Sequence, residues 1–377
     1  MTIHINQNDK TMKLSHILLL AAVSIAPLAA NAQQAQRLSA TKANDYGLVY
    51  SLPKTMLKVT LEAELTVKKP GEFYRYAPKY LNVSNPITKE SHSVKLKGAS
   101  ISSYGIPDPE ETFSIQFKAG YPVYVTLDEA GLPLSINTEE IPEAEKESIP
   151  EAVPAAPTPL ETPAARQVIS EEMLQSQSTA KRAELAAQAI FALRQTRSDL
   201  ISGQADNMPP DGKSLQLMLD NLQAQEEALT AMFLGTTSVS TQVESFIVNP
   251  DALVDNDKAR IPVARLSAVN GIVDREDLSG SPVYLDLSAI SQGEMPVNEK
   301  GQTLAFPKNG IPYCIPGELQ ATVVYDGETY TSRRLAASQL GITYGLAPNS
   351  FTDKKAPIYI IYDRATGGIL RQGPAIR

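Results

Sequence analysis

A regular alternation of apolar and polar residues is the clearest pattern in the chain. In KVTLEAELTVK, apolar side chains occupy every second position from Val59 to Val67. This period of two predicts a strand with one face on a core and the other in water. Shorter strand-like segments occur both before and after the central region of the chain. They predict an N-terminal β domain over residues 38–140 and a C-terminal β domain over 237–377.

The period changes between residues 165 and 236. Apolar residues recur there at spacings of three and four, first around Ile190 and then from Leu215 to Phe233. This spacing predicts two helices, which the breaker SGQADNMPPDGK separates. Asp211 or Ser214 can cap the second helix, and Gly235 suits its end. Two helices with narrow apolar stripes and a short connection predict an antiparallel hairpin over 165–236.

Residues 141–164 differ from both neighbours in composition. They contain six Pro and five Glu and no aromatic residue. Such a segment buries too little apolar surface to order itself, so we interpret it as a semi-extended linker. The predicted fold class is therefore α+β and mainly β. It has two β-sandwich-like regions separated by the Pro/Glu-rich linker and the antiparallel helical hairpin.

The N-terminus has the pattern of a secretory signal peptide over residues 1–32. Lys13 precedes the apolar run LSHILLLAAVSIAPLAA, and Ala30 and Ala32 provide small side chains for cleavage after Ala32. Met12 is an alternative start, since Met12-Lys13 also opens a normal signal. We expect an exported protein, located in the periplasm or at the outer surface of the cell.

Charge and hydropathy narrow the classes of partner. The formal net charge is −8, and it becomes −9 when the predicted signal, with Asp9, Lys10 and Lys13, is removed. An acidic chain without a Lys/Arg cluster is a poor nucleic-acid ligand. The predicted mature chain contains no apolar stretch long enough for a transmembrane helix.

The motif Leu52-Pro53-Lys54-Thr55 resembles the start of a sortase signal, but Met56 follows where that signal has Gly. It also lies far from the C-terminus, without the apolar span and basic tail of a sortase substrate. Because Pro lacks an N–H group, we interpret these residues as the connection between two strands.

The candidate chemistry is sparse. Cys314 is the only cysteine, so no intramolecular disulfide can form, and its apolar neighbours indicate a buried thiol. His92 is the only histidine after the predicted signal, and no motif pairs it with Cys314 as base and nucleophile. Asp251, Asp255 and Asp257 offer oxygen ligands for calcium, but their spacing is not that of an EF-hand. We expect no catalytic residue, metal or cofactor, although a carboxylate pair needs no local motif.

One segment combines aromatic and basic residues in a way that suggests recognition. PGEFYRYAPKYL places Phe73, Tyr74, Tyr76 and Tyr80 beside Arg75. Tyr and Arg are enriched in binding interfaces, so these five residues are the predicted binding site. The alternative is that the segment caps a core, with the tyrosine hydroxyls reaching water.

Several blocks resemble a secreted family of Bacteroides-type bacteria, the domain-of-unknown-function family 4831. They are YGLVYSLPKT, SGQADNMPPDGKSLQLML, LTAMFLGTT, DLSGSPVYL and NGIPYCIPG. The resemblance covers nearly the whole predicted mature chain. It implies an exported envelope protein with β regions around a helical hairpin, and it brings no activity or catalytic residue.

These observations lead to one main functional expectation and two alternatives. The main one is a non-enzymatic exported protein that binds or scaffolds a partner in the cell envelope, either a protein or a glycan. The first alternative is a carbohydrate-binding protein with Tyr-rich β surfaces, although the chain has no Trp for stacking on sugars. The second is a carboxylate-dependent hydrolase, which would need two acidic residues facing each other across a deep cleft.

Overall fold

A computed structural model describes residues 48–115, 123–144, 148–353 and 355–375, together with the backbone of residues 36–39. The predicted signal peptide, with Met12 and the cleavage position after Ala32, lies outside the described residues. The strands are β1 (Gln36–Ser39), β2 (Leu48–Lys69), β3 (Ser91–Ile115), β4 (Tyr124–Leu127), β5 (Pro133–Ile136), β6 (Thr236–Val248), β7 (Lys258–Ser267), β8 (Gly271–Asp274), β9 (Ser281–Ser291), β10 (Ile311–Tyr325), β11 (Glu328–Leu346), β12 (Ile358–Tyr362) and β13 (Ile369–Pro374). The helices are α1 (Ala77–Leu81), α2 (Pro163–Gln167), α3 (Glu171–Gln175), α4 (Thr179–Ser202), α5 (Gly212–Leu234), α6 (Ala252–Asp255) and α7 (Asn349–Thr352).

The described strands form three antiparallel sheets, which take their strands from distant parts of the chain. The first sheet has the order β1-β4-β5-β12-β13, the second β11-β10-β9-β7-β8, and the third β3-β2-β6. Strands from both predicted β domains share the first sheet and the third. The boundaries predicted at residues 140 and 237 therefore do not separate two sets of sheets, because alternation along the chain identifies strands but not their partners. The class is confirmed as α+β and mainly β.

The second and third sheets pack face to face around the largest core. From the third sheet, the predicted alternation places Val59, Leu61 and Ala63 in this core. Opposite them lie Leu285 from β9 and Leu319 from β10. Apolar inner faces on both sheets thus produce a sandwich-like pair of layers.

A second core joins the first sheet to the paired ends of β2 and β3 that extend beyond β6. Tyr50 and Leu52 from β2 pack there with Ile360 and Tyr362 from β12. The hydroxyl of Tyr50 donates a hydrogen bond of 2.7 Å to the carbonyl oxygen of Pro312, which satisfies the polar end of a buried ring. The strand β2 therefore contributes to two cores.

The motif Leu52-Pro53-Lys54-Thr55 lies inside β2 and does not connect two strands, so that interpretation was wrong. The register between β2 and β3 shifts between Ser51 and Pro53, and Pro53 then faces Pro107. Such an irregularity lets a strand continue past a proline that cannot donate to the ladder.

The helices α4 and α5 form the predicted antiparallel hairpin. Ile190 packs in one core with Leu229 and Phe233, and Arg194 near the middle of α4 pairs with Glu226 on α5. Asp211 accepts a hydrogen bond of 2.9 Å from the backbone N–H of Ser214, as a helix cap should. Gly235 follows the last turn with φ of 86°, where a side chain would be strained.

The Pro/Glu-rich segment has little regular structure in its described part. Residues 148–157 are all exposed. Their one pairing is an antiparallel bridge between Val153 and Thr241 on β6. After it, Thr158 and Glu161 form a reciprocal capping box that leads toward α2. We call residues 148–157 the strap.

Candidate functional site

The predicted recognition segment is docked on the helical hairpin. The backbone N–H of Phe73 donates a hydrogen bond of 2.7 Å to the carbonyl oxygen of Met232 on α5. A tight turn over Tyr74–Tyr76 follows, and α1 ends at Asn82 in the left-handed conformation. Gly71 is needed for this contact, because a Cβ atom there would lie 2.3 Å from the Met232 carbonyl oxygen.

Phe73 anchors the segment and is not part of its surface. Its side chain is 1% exposed, and its ring centroid lies 5.4 Å from that of Phe233. The guanidinium of Arg182 lies 5.7 Å from the same ring centroid, and it pairs with Glu72. The structure thus places one of the five predicted binding residues in the hairpin core.

The other four residues are at least partly accessible, together with Lys79, and Tyr76 and Tyr80 also pack against the hairpin core. Arg75 is exposed, and Tyr74, Tyr76 and Tyr80 are half-buried. The Nε–H of Arg75 donates to the Tyr74 hydroxyl at 3.0 Å, and this hydrogen bond raises the pKa of the guanidinium. We call Tyr74, Arg75, Tyr76, Lys79 and Tyr80 the aromatic–basic surface.

Cation–ring contacts hold the side chains of this surface in place. The ammonium of Lys79 lies 4.8 Å from the ring centroid of Tyr80, whose own ring centroid is 6.2 Å from that of Tyr76. Such contacts reduce the conformational freedom that binding would otherwise remove. The arrangement can present flat rings and two positive charges to a ligand.

A second candidate is a cleft lined by strands of the second and third sheets, which we call the inter-sheet cleft. Its volume is about 350 Å³. It lies beside the irregularity at Pro53 and a second register shift between Ile315 and Gly317. Bulges often occur where strands must open around a site. The lining residues are Pro53, Lys54, Asp108, Glu111, Cys314, Ser338, Gln339, Gly341, Ile342 and Thr343.

Lys54 is the positive group of the inter-sheet cleft. Its ammonium lies 2.6 Å from a carboxylate oxygen of Asp251, which also accepts from the side chain of Asn249 at 2.7 Å. The hydrogen bond with Asp251, followed by the nearby charges of Asp251, Asp108 and Glu110, raises the pKa of Lys54. The amine is therefore protonated at neutral pH and is not a nucleophile.

Cys314 is also unsuited to nucleophilic chemistry in this cleft. It is buried, and burial raises the pKa of its thiol to about 12, with smaller contributions from Glu111 and Asp363. A thiol is a weak nucleophile compared with its thiolate. Asp108 and Glu111 both come from β3, while the opposite wall supplies the hydroxyl of Thr343 and the amide of Gln339. Among the described lining residues, no carboxylates therefore lie on opposite walls of the cleft.

His92 and Cys314 lie too far apart to act together. His92 pairs with Val67 on β2, whereas Cys314 lines the cleft beside Pro53. Fourteen residues of extended strand at about 3.3 Å each separate Val67 from Pro53, or roughly 45 Å. His92 is instead in contact with Glu90, at 3.2 Å.

Asp251, Asp255 and Asp257, whose oxygen atoms could in principle bind calcium, are not arranged as a metal site. Asp251 pairs with Lys54, as described above. Across the part of the chain that the structure describes, no group of three or more His, Cys, Asp or Glu side chains is placed to hold a metal ion. No helix in that part is both long and apolar enough to cross a membrane.

Sequence reasoning missed the inter-sheet cleft. Its walls come from β2, β3, β10 and β11, and Lys54 and Asp251 are 197 residues apart. No local motif joins such residues. The one local signal was Pro53 within an otherwise strand-like stretch, which we interpreted as part of a connection between two strands.

Comparison with known proteins gives a family and no activity. No curated protein matches the chain, and neither does any solved structure. Residues 46–370 match the family model described as domain of unknown function DUF4831. This range includes the helical hairpin, the aromatic–basic surface and the inter-sheet cleft. The chain therefore belongs to the DUF4831 family.

Proposed function

We propose that this chain is an exported cell-envelope protein that binds a protein partner through the aromatic–basic surface and has no enzymatic role. The observation that carries the proposal is the contrast between buried Phe73 and the accessible Tyr74, Arg75, Tyr76 and Tyr80. A buried anchor and cation–ring contacts preorganise these side chains. Preorganised Tyr and Arg side chains are characteristic of interface hot spots.

The chemistry of the side chains in the inter-sheet cleft gives secondary support for a non-enzymatic role. Lys54 and Cys314 are both held in their protonated forms, so neither provides an activated nucleophile. A carboxylate-dependent hydrolase would need acidic groups on both sides of a cleft, and this cleft's acidic lining residues come from one strand. Binding thus has more support than hydrolysis.

Carbohydrate binding is the second candidate, because Tyr76 and Tyr80 lie close enough together to contact one sugar chain. Their rings are 6.2 Å apart and inclined by 37°. Half-exposed tyrosine rings can pack on the apolar faces of sugars. In that case the ligand would be an envelope glycan, and it would engage the same surface.

A comparison of captured partners tests the proposal. The chain would be crosslinked in the envelope of its own cells, and its partners identified by mass spectrometry. We expect one dominant protein, whose recovery falls at least tenfold when Tyr74→Ser and Tyr76→Ser are combined. Tyr284→Ser is the matched control, because Tyr284 has its own arginine, Arg260, 4.9 Å from its ring centroid, on another surface.

Other results of this experiment have distinct meanings. Enriched glycan without a protein would favour carbohydrate binding. Equal capture by the wild type and the double variant would remove the aromatic–basic surface from the proposal.

Export is tested separately by N-terminal sequencing of the envelope protein, which we expect to begin at Gln33. An uncleaved protein retained in the cytoplasm would contradict it.

A further inference from the structure

The strand β6 has one fully paired edge and one nearly open edge. It pairs with β2 over its whole length, from Thr236 to Val248, without a register shift. On its other edge, the only backbone hydrogen bonds among the described residues are the two exchanged by Thr241 and Val153, at 2.8 and 3.0 Å. Unpaired N–H and C=O groups at a sheet edge favour addition of another strand.

The strap covers this edge weakly. All of its residues are exposed, and the bridge at Val153 is its single pairing. The strap thus pairs with β6 at this one described position, which shows that an antiparallel segment fits there.

The open edge also carries exposed apolar side chains. Thr241 directs its N–H and C=O away from β2, so alternate residues from Val239 to Ile247 do the same. On this alternate set, the side chains of Val239 and Ile247 are 46% and 62% exposed. Phe246, on the other set, packs against the core between the sheets. An added strand would thus meet both backbone groups and apolar side chains.

The sequence of β6 is complementary to itself in one antiparallel register. When Val243 lies opposite Val243 of a second copy, Val239 faces Ile247 and Thr241 faces Ser245. Glu244 then faces Gln242, so like charges are not opposed. Apolar residues meet apolar residues at the centre and at both ends, and such cross-strand pairs stabilise sheets.

We propose that the open edge of β6 is a dimerisation surface, on which β6 of a second copy pairs antiparallel about a twofold axis at Val243. The two third sheets become one continuous sheet. The contact is isologous and closed, so it stops at the dimer. The strap competes for the same backbone groups, and Val153 must leave Thr241 before the second copy binds.

Sedimentation velocity over a range of concentrations tests this assignment on protein purified from cells that express the full chain. Val153→Pro removes the N–H group that donates to Thr241, so we expect the dimer dissociation constant to fall about tenfold. Val243→Lys should give monomers, because it places two ammonium groups opposite each other. Val254→Lys changes an exposed valine away from this edge and should behave as the wild type.

A disulfide test fixes the register and does not depend on a disruptive variant. Directly opposed residues that exchange hydrogen bonds have Cα atoms about 5.5 Å apart, which is within reach of a disulfide. Val243→Cys should therefore form a covalent dimer under mild oxidation, whereas Val239→Cys alone should not. The native Cys314 is buried and should not contribute.

The proposal fails if the wild type and Val153→Pro both stay monomeric and Val243→Cys does not crosslink to itself. It also fails if Val243→Lys dimerises as strongly as the wild type, since the interface would then lie elsewhere. A monomeric chain whose Val243→Cys variant crosslinks to a different protein would reassign the edge to a peptide-like partner.

Discussion

Thr55 and Ser338 exchange hydrogen bonds across 283 positions of sequence. The backbone N–H of Thr55 donates to the Ser338 hydroxyl oxygen at 2.9 Å, and the backbone N–H of Ser338 donates to Thr55 Oγ1 at 2.9 Å. The Thr55 hydroxyl also donates to the carbonyl oxygen of Ala365 at 2.8 Å. One buried threonine thus links β2, β11 and the turn before β13.

Replacing Thr55 by Val should destabilise the fold, because Val keeps the volume but leaves the Ser338 N–H and the Ala365 carbonyl without this partner. We expect the free energy of unfolding to fall by about 1–3 kcal/mol in urea denaturation. Thr329→Val, at an exposed position of β11, should change it by less than about 0.5 kcal/mol. Equal effects would show that the Thr55 hydrogen bonds contribute little.

Phe73→Ala should be far more damaging than any change on the aromatic–basic surface. The side chain is fully packed against Phe233, so its loss leaves a cavity, and we expect a cost of about 3–5 kcal/mol. Tyr74→Ser should cost less than about 1 kcal/mol in the same denaturation experiment. A small effect of Phe73→Ala would contradict its role as the anchor of the segment.

The Cys314 thiol should resist modification in the native protein. Its pKa is raised to about 12 from a usual value of 9.0, so the folded chain holds the proton when the unfolded chain has lost it. A thiol reagent at pH 8 should therefore label Cys314 only after unfolding. Rapid labelling of the native protein would contradict the burial of this side chain.

The same pKa difference predicts a pH dependence of stability. Below pH 9 the Cys314 thiol is protonated in both the folded and the unfolded chain, so its full contribution to stability is present. Between about pH 9 and pH 12 only the unfolded state loses it, so stability falls as pH rises. Cys314→Ala should lack this component, and comparison of the two urea curves at pH 8 and pH 10.5 measures it. Parallel losses in both proteins would assign the fall to other groups, such as the buried tyrosines.

The Lys54–Asp251 pair should contribute little to stability, because both side chains are partly exposed. We expect a double-mutant cycle with Lys54→Met and Asp251→Asn to give a coupling energy below about 1 kcal/mol. Because the hydrogen bond with Asp251 raises the pKa of Lys54 above its usual 10.5, the lysine's share of this coupling is full up to about pH 10.5 and is lost as the pH rises further, through the raised value. A coupling of several kcal/mol would indicate a far less solvated pair.

Local patterns predicted the local parts of this fold. The alternation from Val59 to Val67 identified the middle of β2, and Asp211 and Gly235 marked the ends of α5. These signals depend only on residues that are close in sequence, so they can be recognised without knowing how the rest of the chain folds. The aromatic–basic surface was found for the same reason, since its residues lie within seven positions of one another.

Contacts between distant segments could not be predicted in this way. The pairing of β2 with β6 and the meeting of Lys54 with Asp251 depend on how whole sheets pack. The burial of Phe73 depends likewise on α5, more than 150 residues later. A phenylalanine beside three tyrosines has the same local pattern whether it faces a core or water, so only the tertiary structure separates these cases.

The length of β2 has a consequence for how the molecule unfolds. This single strand spans 22 residues, or roughly 70 Å at about 3.3 Å per residue. It supplies Leu52 to one core and Leu61 to another, and its end at Lys69 lies against Gly235 below the helical hairpin. Because β2 is continuous through these regions, the loss of structure in one region removes contacts that this strand makes in the others. Heat or denaturant should therefore melt them together, and a protease should find few stable fragments to release.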